Sequence, residues 1–115
     1  MALFEKVEEV KPSTTWYLAE GATAGEFDCW VLVMNPDPAR TARIKLTFLT
    51  DRGPVPGPEY DLAPGRRHSF HVDDYVTTFD VSTLVSSENG VPVVAERAMY
   101  NDQRTFAHDS VGYAP

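Results

Sequence analysis

The stretch "ARIKLTFLT", Ala42 to Thr50, decides the fold. Ile44, Leu46 and Phe48 fall on one side of an extended chain, Lys45 and Thr47 on the other. Apolar and polar residues alternating with period two are the mark of a strand with one face on a core and one in water. Working outward, the same grammar repeats. "TWYLA" (Thr15 to Ala19) and "FDCWVLVMN" (Phe27 to Asn35) read as strands before it, separated by a loop from Glu20 to Gly25, the second ended by Pro36 and Pro38. After it, "DRGPVPGP" reads as a turn, because Gly and Pro supply special backbone angles. "EYDLA" is a short strand and "RRHSFHV" (Arg66 to Val72) another, with Ser69 and His71 opposite His68, Phe70 and Val72. "FDVSTLVSS" (Phe79 to Ser87) and "VPVVAERAMY" (Val91 to Tyr100) follow, split by the turn signal "ENG". "TFAHDSVGY" (Thr105 to Tyr113) is the last strand.

Seven or eight short strands with turn chemistry between them predict an all-β antiparallel sandwich or barrel. No segment offers a helix long enough for βαβ crossovers, which excludes a parallel sheet. With 115 residues the chain is read as a single sandwich domain over 15–115 preceded by an extension, 1–14. In that extension Leu3, Phe4, Val7 and Val10 sit near helical spacing among charges, and Pro12 closes the segment. It reads as a short helix or a swapped strand that docks on another surface.

Charge and composition exclude whole classes. Seventeen acids against ten bases give a formal charge of −7, whereas phosphate binding needs a cationic face, so no nucleic-acid partner is expected. Cys29 is the single cysteine, so no intrachain disulfide forms, and "WVLVM" after it reads it as a buried small hydrophobe. The opening "MALFEKVEEVKP" lacks the apolar stretch and small-residue cleavage site of a signal peptide. The expectation is a soluble cytoplasmic chain, or a cell-surface one if it was excised from a longer secreted parent. No direct membrane insertion is expected.

Catalysis is not expected either. His108, Asp109 and Ser110 adjoin in sequence, whereas triad members are gathered by the fold, and no G-x-S-x-G elbow is present. His68 and His71, three apart, point to opposite faces of a strand, and with one Cys they make no zinc set. "DD" at Asp73 and Asp74 reads as a strand end with a side chain-to-backbone bond. No metal and no cofactor are expected.

Several motifs in order carry a resemblance. "WYLAEG" (Trp16 to Gly21), "GPVPGPEYDLAPGRRHSFHVDDYV" (Gly53 to Val76) and "FDVSTLVSSENGVPVVAERAMYND" (Phe79 to Asp102) together resemble the small β-sandwich family of the sensory rhodopsin transducer. They look even more like a repeat unit of bacterial cell-surface proteins, in which "WYLAEG", "VNPDP", "FDVS" and "VPVVAERAMY" recur in that order. The resemblance spans about Thr15 to Gly112. It implies a non-enzymatic sandwich of about eight strands, a homotetramer, and binding of small molecules such as sugars. "DCWVLVMNPDP" and "YNDQRTFAHDSVG" depart from the transducer and favour the surface-repeat branch.

One anomaly points to a site. Glu96 and Arg97 stand side by side in the most apolar run of the chain. Neighbours in a strand face opposite ways, so one of them meets the sandwich interior. An unpaired buried charge costs several kcal/mol. Three readings follow: one charge is solvated and the other lies at the rim with its stem packed; Glu20, or Asp73 with Asp74, holds Arg97; or the pair serves a ligand. In the last, Glu96 or Arg97 binds a sugar hydroxyl or a carboxylate, with Trp16, Tyr17, Trp30 or Tyr100 as a stacking wall. The site set is therefore Trp16, Glu20, Trp30, Glu96, Arg97 and Tyr100. Two functions stay open: a module that binds a small molecule, a sugar among them, or a protein partner and self-assembles into homo-oligomers; and a purely structural assembly module of a cell-surface protein.

Overall fold

The computed structural model describes residues 11–21, 23, 27–78, 80–101, 107–111 and 114, with backbone only for 20, 101 and 107–111. The N-terminal segment with Leu3, Phe4, Val7 and Val10 lies outside the described residues. Among the described residues eight strands run β1 (Thr15–Gly21), β2 (Phe27–Met34), β3 (Ala42–Thr50), β4 (Gly53–Leu62), β5 (Arg67–His71), β6 (Val81–Ser87), β7 (Val94–Asn101) and β8 (Ala107–Val111). They form two antiparallel sheets, β1-β6-β3-β4 and β5-β2-β7-β8. The predicted all-β sandwich is what the chain adopts. No helix among the described residues is long and apolar enough to cross a membrane.

The alternation read from Ala42–Thr50 works as the sequence dictates. Ala42, Ile44, Leu46 and Phe48 are buried, and the residues between them are not. β6 repeats the pattern with Val81, Thr83 and Val85, and β2 with Cys29, Val31 and Val33. These inner faces, with Trp16, Leu18, Phe70, Val72, Val91, Val93 and Ala95, make one core between the sheets. The indole N–H of Trp16 donates to the Val93 carbonyl at 2.7 Å, which ties β1 to the segment entering β7 in the opposite sheet.

One turn reading needs correction. "GPVPGP" is not a turn: Gly53–Leu62 is one ten-residue strand. The turn is confined to Asp51 and Arg52, and Gly53 follows it at φ 103°. Proline has no amide to give a ladder, and β4 tolerates Pro54, Pro56 and Pro58 because it lies at a sheet edge. A register shift between Lys45 and Thr47 brings Gly57 close under β3, where an added Cβ would meet the Leu46 carbonyl oxygen at 2.8 Å. "ENG" turns the chain as read, with Glu88 and Asn89 in the turn and Gly90 after them. β6 and β7 belong to different sheets, so Gly90, at φ 81°, turns the chain across the sandwich. Among the described residues, only β3–β4 and β7–β8 are sequence neighbours that pair.

Asn35 anchors the crossover from β2 to β3. It is fully buried, and its amide donates to the carbonyls of Arg40 (2.8 Å) and Leu62 (3.0 Å). Its side-chain oxygen accepts the Asp37 amide at 3.0 Å. Asp37 in turn accepts the Ala39 and Arg40 amides, both at 2.8 Å.

Candidate functional site

The outer face of β5-β2-β7-β8 gathers the chemistry. Strand pairing sets Trp30 opposite His71 on β5 and opposite Ala98 on β7, and Asp28 opposite Tyr100. Side chains two apart share a face, so Asp28, Trp30 and Leu32 line up along β2 beside Ser69 and His71. Trp30, Leu32, Ser69, Ala98 and Tyr100 line a shallow groove of about 360 Å³. The imidazole of His71 stacks on the Trp30 indole, with centroids 4.5 Å apart and planes 23° apart.

Beyond His71 the chain leaves the strand in a single 3-10 turn, Val72–Asp74, with Val72 buried as its anchor. That turn swings both carboxylates of "DD" back toward the ring. Asp74 Oδ1 lies 3.1 Å from His71 Nδ1, and Asp73 Oδ1 lies 3.5 Å from Nε2. From β2, Asp28 Oδ1 lies 3.1 Å from the same Nε2. Asp73 is fixed by the Cys29 amide, which donates to Oδ1 at 2.8 Å. The side chain-to-backbone bond expected of "DD" is present, but it reaches a strand 44 residues away.

Electrostatics follow from this packing. Burial works against the His71 cation, but the hydrogen bond to Asp28 and the charges and contacts of Asp73 and Asp74 outweigh it and hold the pKa above its ordinary value. Burial also raises the Asp73 carboxyl, against the opposing pull of the Cys29 amide and His71; the nearby Asp28 adds to the rise. Cys29 is a structural thiol: burial pushes it up to about 11, with Arg97 partly offsetting and Asp73 adding to the effect.

The residues expected to form a site separate. Trp30 and Tyr100 share the groove, and Glu96 lies on the same face, half-buried, opposite Leu32. Arg97 points the other way, into the sandwich, at 7% exposure. It lies beside Cys29 and Gly21, with Nη1 4.0 Å from Met99 Sδ. A Cβ on Gly21 would meet Cys29 Sγ at 2.7 Å and Arg97 Cδ at 3.4 Å, so the glycine leaves room for the guanidinium stem. Asp73 and Asp74 converge on His71 in the contacts above. Trp16 is no stacking wall: it is 3% exposed in the core. Tyr17 is exposed on the outer side of the other sheet. The side chain of Glu20 is outside the described residues, as are those of His108, Asp109 and Ser110.

Sequence reasoning did not join Asp28 and His71 to the site. Their separation of 43 positions hides the contact, and only the β2–β5 register makes it. The faint signal was "DCW": a carboxylate two residues from a tryptophan on one strand face.

Two facing antiparallel sheets define a β-sandwich. Superposition supports that class. The crystal structure of Thermotoga maritima 1070 matches with a TM-score of 0.77 at 20% identity, covering 92% of this chain and 97% of that one. The Anabaena sensory rhodopsin transducer matches with a TM-score of 0.61 at 19% identity, covering 76% of this chain and 96% of that one. No protein-family model matches the sequence, and no curated protein does.

Proposed function

We propose that this chain is a non-catalytic binding module whose groove on the outer face of β5-β2-β7-β8 takes a small polyhydroxylated molecule, a sugar foremost, and that it works as a homo-oligomer. One observation carries the reading. An apolar strip of Trp30, Leu32, Ala98 and Tyr100 lies beside the polar group of Asp28, Ser69 and His71. A sugar offers apolar C–H faces to an aromatic ring and hydroxyls to fixed acceptors, so it suits such a pairing. The expected tetramer rests on the likeness to the transducer fold, and exposed sheet edges give the chain reason to self-associate. The surface-repeat reading, with the module purely structural, is the competing one.

A glycan panel followed by titration calorimetry tests the proposal. Saturable binding to at least one saccharide is expected, lost in Trp30→Ala and weakened in Tyr100→Ala, while Trp16→Ala unfolds the core instead. Multi-angle light scattering on the same sample is expected to give a mass above one chain. A silent panel and a monomeric mass would move the assignment to the structural module.

A further inference from the structure

We propose that Asp28, His71 and Asp73 form a binding site for a first-row divalent cation, with zinc the best fit. The site borders the groove at Trp30 but does not rest on the sugar reading. Its ligand atoms come from three elements: Asp28 from β2, His71 from the end of β5, and Asp73 from the 3-10 turn. All three lie within 4.8 Å of one another.

Geometry is the first argument. Zinc binds imidazole nitrogen and carboxylate oxygen at about 2.0–2.2 Å. Neighbouring ligands are then about 2.8–3.1 Å apart in an octahedron and about 3.3–3.6 Å apart in a tetrahedron. Of the two edges from His71 Nε2, the 3.1 Å to Asp28 matches the octahedral spacing and the 3.5 Å to Asp73 the tetrahedral one.

The second argument is the surrounding support. Ligating histidines donate their other ring N–H to a carboxylate or carbonyl, which fixes the tautomer and orients the ring. His71 Nδ1 has Asp74 at 3.1 Å for that purpose. With the proton of the neutral ring on Nδ1, the Nε2 lone pair points at the two remaining carboxylates. The stacked Trp30 ring locks the plane of the imidazole, and the Cys29 amide holds Asp73. A cation would also relieve the repulsion between Asp28 and Asp73. One nitrogen and two oxygens suit a borderline ion such as zinc over magnesium or calcium, which prefer all-oxygen shells. Three protein ligands leave open positions for water or a ligand oxygen.

The test uses the chelator-stripped full chain and the metal alone. Calorimetry is expected to show one zinc per chain, with manganese weaker and magnesium and calcium without saturable heat. Asp28→Asn, Asp73→Asn and His71→Gln are each expected to weaken zinc at least about tenfold. Asp74→Asn keeps all three ligands and is expected to weaken it by about 10–100-fold through the lost orientation of His71. Far-UV circular dichroism confirms that each variant is folded. Anomalous scattering from a zinc-soaked crystal places the ion. No saturable zinc binding, zinc binding unchanged in His71→Gln, or an anomalous peak away from these three residues would each overturn the proposal.

Discussion

The two sheets share one rule on their inner sides and differ on their outer ones. On β1-β6-β3-β4 the outward positions of the paired strands are Thr47, Leu84 and Tyr17 in one row and Lys45 and Ser86 in the next, with Arg43 bridging to Asp61 at 2.8 Å and Glu59 at 3.3 Å. This is a hydrated surface whose charges cancel across neighbouring strands. On β5-β2-β7-β8 the equivalent positions hold Trp30, Tyr100 and Leu32, and the charged groups converge on one imidazole instead of spreading. Ordinary solvation explains the first face. A half-buried tryptophan on an outer face, stacked on a histidine that is itself ringed by three carboxylates, is more than solvation asks for. The difference sets the proposed site on one side of a sandwich whose core treats both sheets alike.

The strongest way to break the comparison is to exchange core and surface roles. Phe48 is fully buried on the inner face of β3, and Phe48→Ala is expected to cost about 3–5 kcal/mol through lost transfer energy and the cavity left behind. Trp30 is half-buried on the outer face, and Trp30→Ala is expected to cost about 1–2 kcal/mol, its larger effect falling on ligand binding. Urea unfolding of both variants measures this. Equal losses would mean that Trp30 is a core residue and that the outer face of its sheet is not a free surface.

The next effect concerns the link between the two sheets. Asn35 satisfies the Leu62 and Arg40 carbonyls and the Asp37 amide from a fully buried position. Asn35→Ala would strand the buried Leu62 carbonyl, while water can reach the loop partners. A loss of about 2–3 kcal/mol is expected in the same urea experiment, smaller than for Phe48→Ala. A loss near zero would show that the crossover is held by strand packing alone.

These contrasts also mark what the residues disclosed in advance. Ala42–Thr50 was legible to the residue, because strict alternation coincided with a ladder buried on one side. "GPVPGP" was misread because Gly and Pro suit turns, whereas an edge strand also accepts them, and edge position is a property of the assembled sheet. The turn at "ENG" was legible, but its passage between sheets was not, because positive φ serves a crossover as well as a hairpin. At the site, alternation placed Trp16 and Tyr17, or Glu96 and Arg97, on opposite faces but could not say which face was inward. Trp16 went in and Trp30 stayed out. Two tryptophans of the same chemistry were separated by sheet pairing, which no local pattern encodes. The Asp28–His71 contact is hidden for the same reason. Gly21, by contrast, held a usable hint: a glycine ending a strand reports a close approach, here by Cys29 and Arg97.

The smallest expected effect is a pH dependence in the same crossover, and its sign is fixed. The Ala39 and Arg40 amides, with the Arg40 guanidinium 2.9 Å from Oδ2, hold the Asp37 carboxyl below its ordinary value. A folded pKa below the unfolded one means that the unfolded chain binds more protons between the two values, so stability rises with pH across that window. The contribution of Asp37 is complete above the unfolded value of about 3.8 and fades as pH falls through the folded one. Asp37→Asn retains an acceptor oxygen but not the charge. The gap in thermal midpoint between the parent chain and Asp37→Asn is therefore expected to be largest near neutral pH and to close in strong acid. Every other titrating group cancels in that difference. A gap that stays constant from neutral pH to strong acid would show that the charge of Asp37 contributes nothing and that the loop is held by acceptor geometry alone. The link between the sheets would then be as indifferent to charge as the core it spans.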